Sequence, residues 1–106
     1  MNGVRRDPMN RWGEGMKRRL RAAGLVILAI TDHPDGYGGD DLYVSRFVDG
    51  AWTAPVNLGP EINTPEYEYG PWVTSNGEFL LFTSHRDGPS NVYRAPMRLV
   101  HEAMER

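Results

Sequence analysis

The chain has 106 residues, enough for one small domain whose modest core buries roughly two-thirds of the unfolded surface. Lys and Arg number 12 against 14 Asp and Glu, and the net charge of -2 excludes the global positive field that draws in nucleic acid. There is no cysteine, which excludes a disulfide framework and a thiolate metal site, and no apolar run is long enough for a membrane-spanning helix.

Residues 1–23 are basic and polar with no sustained apolar face, which predicts a disordered or weakly helical lead, with a short helix over 16–23. "MKRRLRAAGLVILAIT" has the basic start and short apolar run of a signal peptide, but Gly24 interrupts the run and the small-x-small cleavage pattern is missing. From Gly24 the text changes to short apolar runs between turn residues. "LVILAIT", bounded by Gly24 and "DHPDG", reads as a buried strand. "DLYVSRF" alternates Leu42, Val44 and Arg46 against Tyr43, Ser45 and Phe47, a second strand, and Asp49-Gly50 is a tight-turn dipeptide. "WTAPVNL" reads as a third strand whose Pro55 suits a sheet edge. "GPEINTPEYEYGP" reads as a long irregular link. "WVTS", "EFLLFTS" and "NVYRAP" are three more strands, with turns at Asn76-Gly77 and Asp87-Gly88, and "MRLVHEAMER" closes the chain with helix formers.

The chain matches itself. A shift of 53 sets Gly24 on Gly77, Ile27 on Leu80, Leu28 on Leu81 and Thr31 on Ser84. After one inserted residue at Pro34, Asp35-Gly36 meets Asp87-Gly88, and beyond a longer loop "DLYVSR" meets "NVYRAP". Two copies of a strand-turn-strand unit follow, and the apolar run at 25–31 is the counterpart of a strand, which counts against a signal peptide. A period of about 50 residues with several strands per unit is the pattern of β-propeller blades. The opening strand of the second copy, "GPWVTSNG", has only "GMKRRLRAAG" as its counterpart, too basic for a packed strand.

On "GYGGDDLYVS", "DGAW", "PVNLG", "INT", "YEYGP" and "NGEFLLFTS" followed by His85-Arg86, the chain resembles the TolB-like (WD-like repeat) β-propeller family from about Gly24 to Met97. The resemblance implies an all-β fold of antiparallel four-stranded blades. This chain would hold about one and a half blades of an incomplete propeller over 24–97, with the polar lead over 1–23 and a short helix in the tail, 98–106. It further implies binding to protein or glycan partners and a setting that is commonly periplasmic or exported, while some relatives are lyases or accompany peptidases. A closed ring needs at least four blades, so the expectation is a fragment or a piece that assembles with others, self-associating through exposed blade faces. The second copy has Glu68 and Arg86, expected to pair, where the first has Gly15 and His33.

Candidate sites are few. Asp32, Asp35, Asp40 and Asp41 offer carboxylates to Ca²⁺, but their spacing is not that of an EF-hand, and Gly36, Gly38 and Gly39 favour a solvated turn. "GYGGDD" carries Asp41 where a dinucleotide fingerprint has Gly or Ala. Ser84, His85 and Asp87 crowd one turn, whereas a catalytic triad is drawn from separate elements. Glu66 and Glu68 share a side if extended, as glycoside chemistry would use them, although a structural Glu68 and a solvated Glu66 is the simpler reading. Trp52, Tyr67 and Trp72 could stack on sugar rings, with Trp52 and Trp72 more readily placed in a blade core. His101 lies in the polar tail. The sequence therefore assigns no catalytic, metal or cofactor residue. It favours a binding or scaffolding module that presents "DHPDGYGGDD" and "PEYEYG" to a partner, with a hydrolase or lyase fragment, or a product without function of its own, as alternatives.

Overall fold

The computed structural model describes residues 24–105; the basic lead at 1–23 and its expected helix lie outside the described residues. The described chain is all-β apart from one short helix. Its elements are β1 (Leu25–Thr31), β2 (Asp40–Val48), β3 (Ala51–Trp52), β4 (Val56–Asn57), β5 (Glu68–Val73), β6 (Phe79–Ser84), β7 (Asn91–Pro96) and α1 (Arg98–Met104). They form two sheets, β1-β2-β3 with β4 also on β2, and β5-β6-β7. The residues group into two compact units, a small one of 24–25 with Arg46–Thr53, and a larger one of 26–45 with 54–105.

The small unit is a hairpin tip. Asp49 and Gly50 both take positive φ, 52° and 84°, as a two-residue type I′ turn requires. The turn pairs Val48 with Ala51 and Phe47 with Trp52, whose rings meet edge-on at 5.2 Å. Trp52 is not a core residue as expected: it is 55% exposed, because the strand that carries it is two residues long and stands at the tip.

"WTAPVNL" is two short segments rather than one strand. β3 and β4 both pair with β2 but in registers that differ by one residue, and the break falls at Thr53–Pro55, where proline cannot donate to a ladder. The Asn63 side chain then extends the ladder: Leu42 N–H donates to Asn63 Oδ1 at 2.7 Å, and Asn63 Nδ2 donates to the Leu42 carbonyl at 2.9 Å. Asn57 Oδ1 accepts from Gly59 N and Asn63 Nδ2, and Gly59, at φ 92°, turns the chain back. These bonds give "PVNLG" and "INT" a purely structural role. β2 is buried on both faces, at Leu42 and Val44 on one and at Tyr43 and Ser45 on the other. β1 is only half-buried, not the buried strand its composition suggested, since it ends the order of its sheet.

The second sheet starts earlier than its sequence suggested. β5 begins at Glu68, inside the stretch read as an irregular link, and a bulge between Tyr69 and Trp72 takes up Gly70 and Pro71. Cross-strand register sorts the side chains. One face carries Glu68, Ser84, Leu80, Phe82 and Ala95, all buried. The other carries the rows Tyr69–Thr83–Val92 and Trp72–Leu81–Arg94, then Phe79 beside Pro96. Trp72 on that outer face is 69% exposed, again not the core residue expected. α1 packs against β4 and β7 and buries Val100 and Ala103, so the tail belongs to the larger unit.

The two sheets repeat each other in detail. Gly36 N–H bonds the His33 carbonyl and Gly88 N–H bonds the His85 carbonyl, each at 2.9 Å. The turns are therefore His33-Pro34-Asp35-Gly36 and His85-Arg86-Asp87-Gly88. This corrects the sequence match. His33 corresponds to His85 and Pro34 to Arg86, with a constant shift of 52 and no insertion from Leu28 to Gly36. After each turn a strand tyrosine donates to the turn aspartate, Tyr43 to Asp35 and Tyr93 to Asp87, at 2.6 Å in both. The loop of the first copy is two residues longer. An even change of register leaves each side chain on its own face, so Leu42 corresponds to Val92 and Val44 to Arg94.

Candidate functional site

Glycine positions the loops that the sequence marked for a partner. A Cβ at Gly38 would collide with the carbonyls of Pro65 and Glu66, and one at Gly39 with the Tyr67 ring. The 32–41 loop therefore lies directly on 65–67, a contact only glycine permits. Asp40 also bridges to Tyr67, and His85 N–H donates to the Tyr67 carbonyl at 3.1 Å. Three separate stretches thus form one surface. Tyr37 and Tyr67 stand on it, 46% and 49% exposed. The Tyr67 and Tyr69 rings lie 5.8 and 5.6 Å from the His85 ring, and Tyr69 Oη is 3.0 Å from His85 Nε2.

The carboxylates of the Asp-rich loop do not converge. Asp40 accepts from Thr31 Oγ1 at 2.7 Å. Asp35 accepts from Tyr43 and meets His33 Nδ1; the tyrosine hydroxyl, with His33 beside it, holds its carboxyl below the ordinary range. Asp41 Oδ2 ties down the N–H groups of Tyr37 and Gly38, while the buried Oδ1 has no partner. Among the described residues no three His, Asp or Glu side chains group as metal ligands do. Tyr43 is pushed up to about 12, chiefly by burial and then by its bond to Asp35.

The other candidates separate in the same way. Ser84 Oγ donates to Glu68 at 2.8 Å, His85 faces Tyr69, and Asp87 holds Tyr93, so the three do not form a relay. Glu66 is exposed, outside any strand, while Glu68 is fully buried; they are not an opposed pair. Glu68 accepts from Thr64 N and Thr64 Oγ1 as well as from Ser84. The expected pairing with Arg86 spans 3.9 Å and runs mainly through Ser84, which accepts from Arg86 Nε at 2.9 Å. Arg86 also donates to the Ile62 carbonyl and stacks over Tyr93 and Phe82. His101 is exposed on α1. Beside α1, Leu58, Pro60, Glu61, Leu99 and Glu102 line a shallow open depression.

Sequence reasoning missed Tyr37, Tyr69 and Asn63. The glycines around Tyr37 were the available signal, since a large side chain between residues that must pack closely has to point outward. No family model matches the chain, nor does any curated protein or solved structure. Among the described residues no helix is long and apolar enough to cross a membrane.

Proposed function

We propose that the chain is a non-catalytic binding module made of propeller-type sheets, and that the tyrosine-rich loop face engages a protein or glycan partner. The observation that carries this reading is the convergence of three stretches, locked by glycine contacts, that sets Tyr67 and Tyr69 against His85 and leaves Tyr37 exposed on the loop packed against 65–67. Tyrosine offers an apolar ring and a polar tip at low entropic cost, which suits sugar faces and peptide segments alike. Glu66 adds an exposed carboxylate beside Tyr67, and Asp32 another on the 32–41 loop. The blade reading is supported by two consecutive antiparallel sheets with the same turn, the same aspartate–tyrosine bond and sequential strand order. On this reading a closed ring takes further sheets of the same kind, from this polypeptide or another.

The test is affinity capture by the full chain, with glycans and proteins as separate arms, followed by titration of the captured partner. Tyr67→Ala and Tyr37→Ala should each weaken binding by roughly tenfold or more, as truncation of an aromatic anchor does. Capture unchanged by both variants would sink the reading. Turnover of a glycan or peptide, abolished by Glu66→Gln, would replace it with the hydrolase or lyase alternative.

A further inference from the structure

We propose that the tyrosine-rich loop face takes a positively charged peptide segment, with a lysine or arginine side chain set against an exposed tyrosine ring. The inference rests on the binding reading above and narrows its partner from protein or glycan to a basic stretch of protein. Its observation is the one-signed charge of the two loops that meet. Residues 32–41 and 65–69 hold six carboxylates, Asp32, Asp35, Asp40, Asp41, Glu66 and Glu68, and no lysine or arginine.

The fold compensates only part of this charge. Glu68 is buried among Thr64 and Ser84 with Arg86 at 3.9 Å, and Asp35 meets His33 Nδ1. Asp40 takes a neutral partner, the Thr31 hydroxyl. Asp41 is 1% exposed. Its Oδ2 accepts from the Tyr37 and Gly38 N–H groups, and its Oδ1 has no partner at all. A buried carboxylate without a counter-cation therefore lies under the backbone that carries Tyr37, an arrangement that costs free energy until a cation comes near. Asp32 and Glu66 are exposed, and among the described residues neither carboxylate has a partner. Arg86, next to His85 in the chain, is not available to them. Its guanidinium is held by Ser84 and the Ile62 carbonyl and lies over the Tyr93 ring. The face thus combines exposed tyrosine rings, whose π-faces attract cations, with carboxylates that attract them further and repel acidic partners. A neutral sugar would use the rings and leave the carboxylates uncompensated.

Isothermal titration calorimetry of the full chain tests this with three probes: a blocked peptide of alternating arginine and glycine, the same peptide with glutamate for arginine, and a neutral glucose tetrasaccharide. The arginine peptide should bind and the other two should not. Its affinity should fall severalfold from about 20 to 200 mM salt, as exposed charges are screened. Glu66→Gln and Asp32→Asn should each weaken it about threefold, as loss of an exposed charge pair does, and Tyr67→Ala about tenfold. Both carboxylates are exposed, and asparagine accepts the positive φ of 55° at Asp32, so the folded state survives. Glu102→Gln, an exposed carboxylate on α1, should change nothing. No binding of the arginine peptide overturns the proposal. So does binding that ignores both Glu66→Gln and Asp32→Asn, or that falls equally with Glu102→Gln. Tighter binding of the tetrasaccharide or the glutamate peptide, lost in Tyr67→Ala, overturns this inference and leaves the binding reading standing. Arginine-peptide binding indifferent to Tyr67→Ala and Tyr37→Ala sinks both.

Discussion

β2 and β7 are the same strand in two settings. Each follows a His-x-Asp-Gly turn and each donates a tyrosine hydroxyl to the turn aspartate. β2, however, sits between β1 on one side and β3 with β4 on the other, and both its faces are covered. β7 ends its sheet and keeps Ala95 buried on one face while Val92 is bare on the other. The local chemistry of turn and tyrosine therefore sets the hairpin, and burial is decided by what comes to lie beside it. In the first sheet "PVNLG" and "INT" bond along β2 through Asn57 and Asn63, and Ile62 between them is fully buried. After β7 the chain turns into α1 instead, which packs against β7 and β4.

Matched substitutions sharpen that comparison. Leu42→Ala should cost about 3 kcal/mol, as deletion of a fully buried leucine does, while Val92→Ala at the equivalent position should stay within about 0.5 kcal/mol. Urea unfolding of the two variants measures the difference, and similar losses would break the equivalence. Glu68→Ala should also cost about 3 kcal/mol, because Ser84, Thr64 and Arg86 lose a shared buried acceptor. Asn63→Ala should cost about 2 kcal/mol by leaving the buried Leu42 N–H without its acceptor, while the Leu42 carbonyl keeps its bond from Leu58 N–H. Tyr43→Phe and Tyr93→Phe should each cost about 1 kcal/mol, the worth of one hydrogen bond, and a loss in one copy alone would show that the two turns differ.

The remaining effect is a pH dependence confined to alkali. Burial raises the Tyr43 pKa from 10.0 to about 12. Between those values the folded chain keeps the phenolic proton while the unfolded chain releases it, so the unfolded state binds fewer protons and stability falls as pH rises. The contribution is complete below pH 10, fades towards pH 12, and should vanish from the alkaline slope of Tyr43→Phe. Tyr93 shifts in the same direction, through its bond to Asp87. A thermal-melt series in alkali reads both.

Much of the fold was legible because strands and turns advertise themselves locally. Asp49-Gly50, Asn76-Gly77 and Asp87-Gly88 end strands where positive φ is needed, and the repeated apolar runs mark the paired strands. The extent of burial was not legible. Trp52 and Trp72 were natural core residues by size alone, but exposure depends on the neighbour each face meets, which local text does not encode. The match between copies was misread by one residue because apolar strands tolerate sliding; the turn hydrogen bonds at His33 and His85 fix it. Of the binding face, Tyr67 and both loops were visible beforehand. Their meeting was not, because it depends on Gly38 and Gly39 receiving a segment more than twenty residues away.

Amide hydrogen exchange at single-residue resolution tests the central comparison most directly. In β2, amides on both sides have acceptors: Phe47 bonds the Gly24 carbonyl, Leu42 bonds Asn63, and Arg46 bonds Thr53. In β7 the Met97 bond to Glu78 sets the alternation that turns Tyr93 and Ala95 toward β6, and Val92 and Arg94 away from it. The account predicts continuous protection through 42–47 and alternating protection through 92–95, with Val92 and Arg94 fast. Uniformly slow exchange along both strands, or uniformly fast exchange along β2, would contradict it.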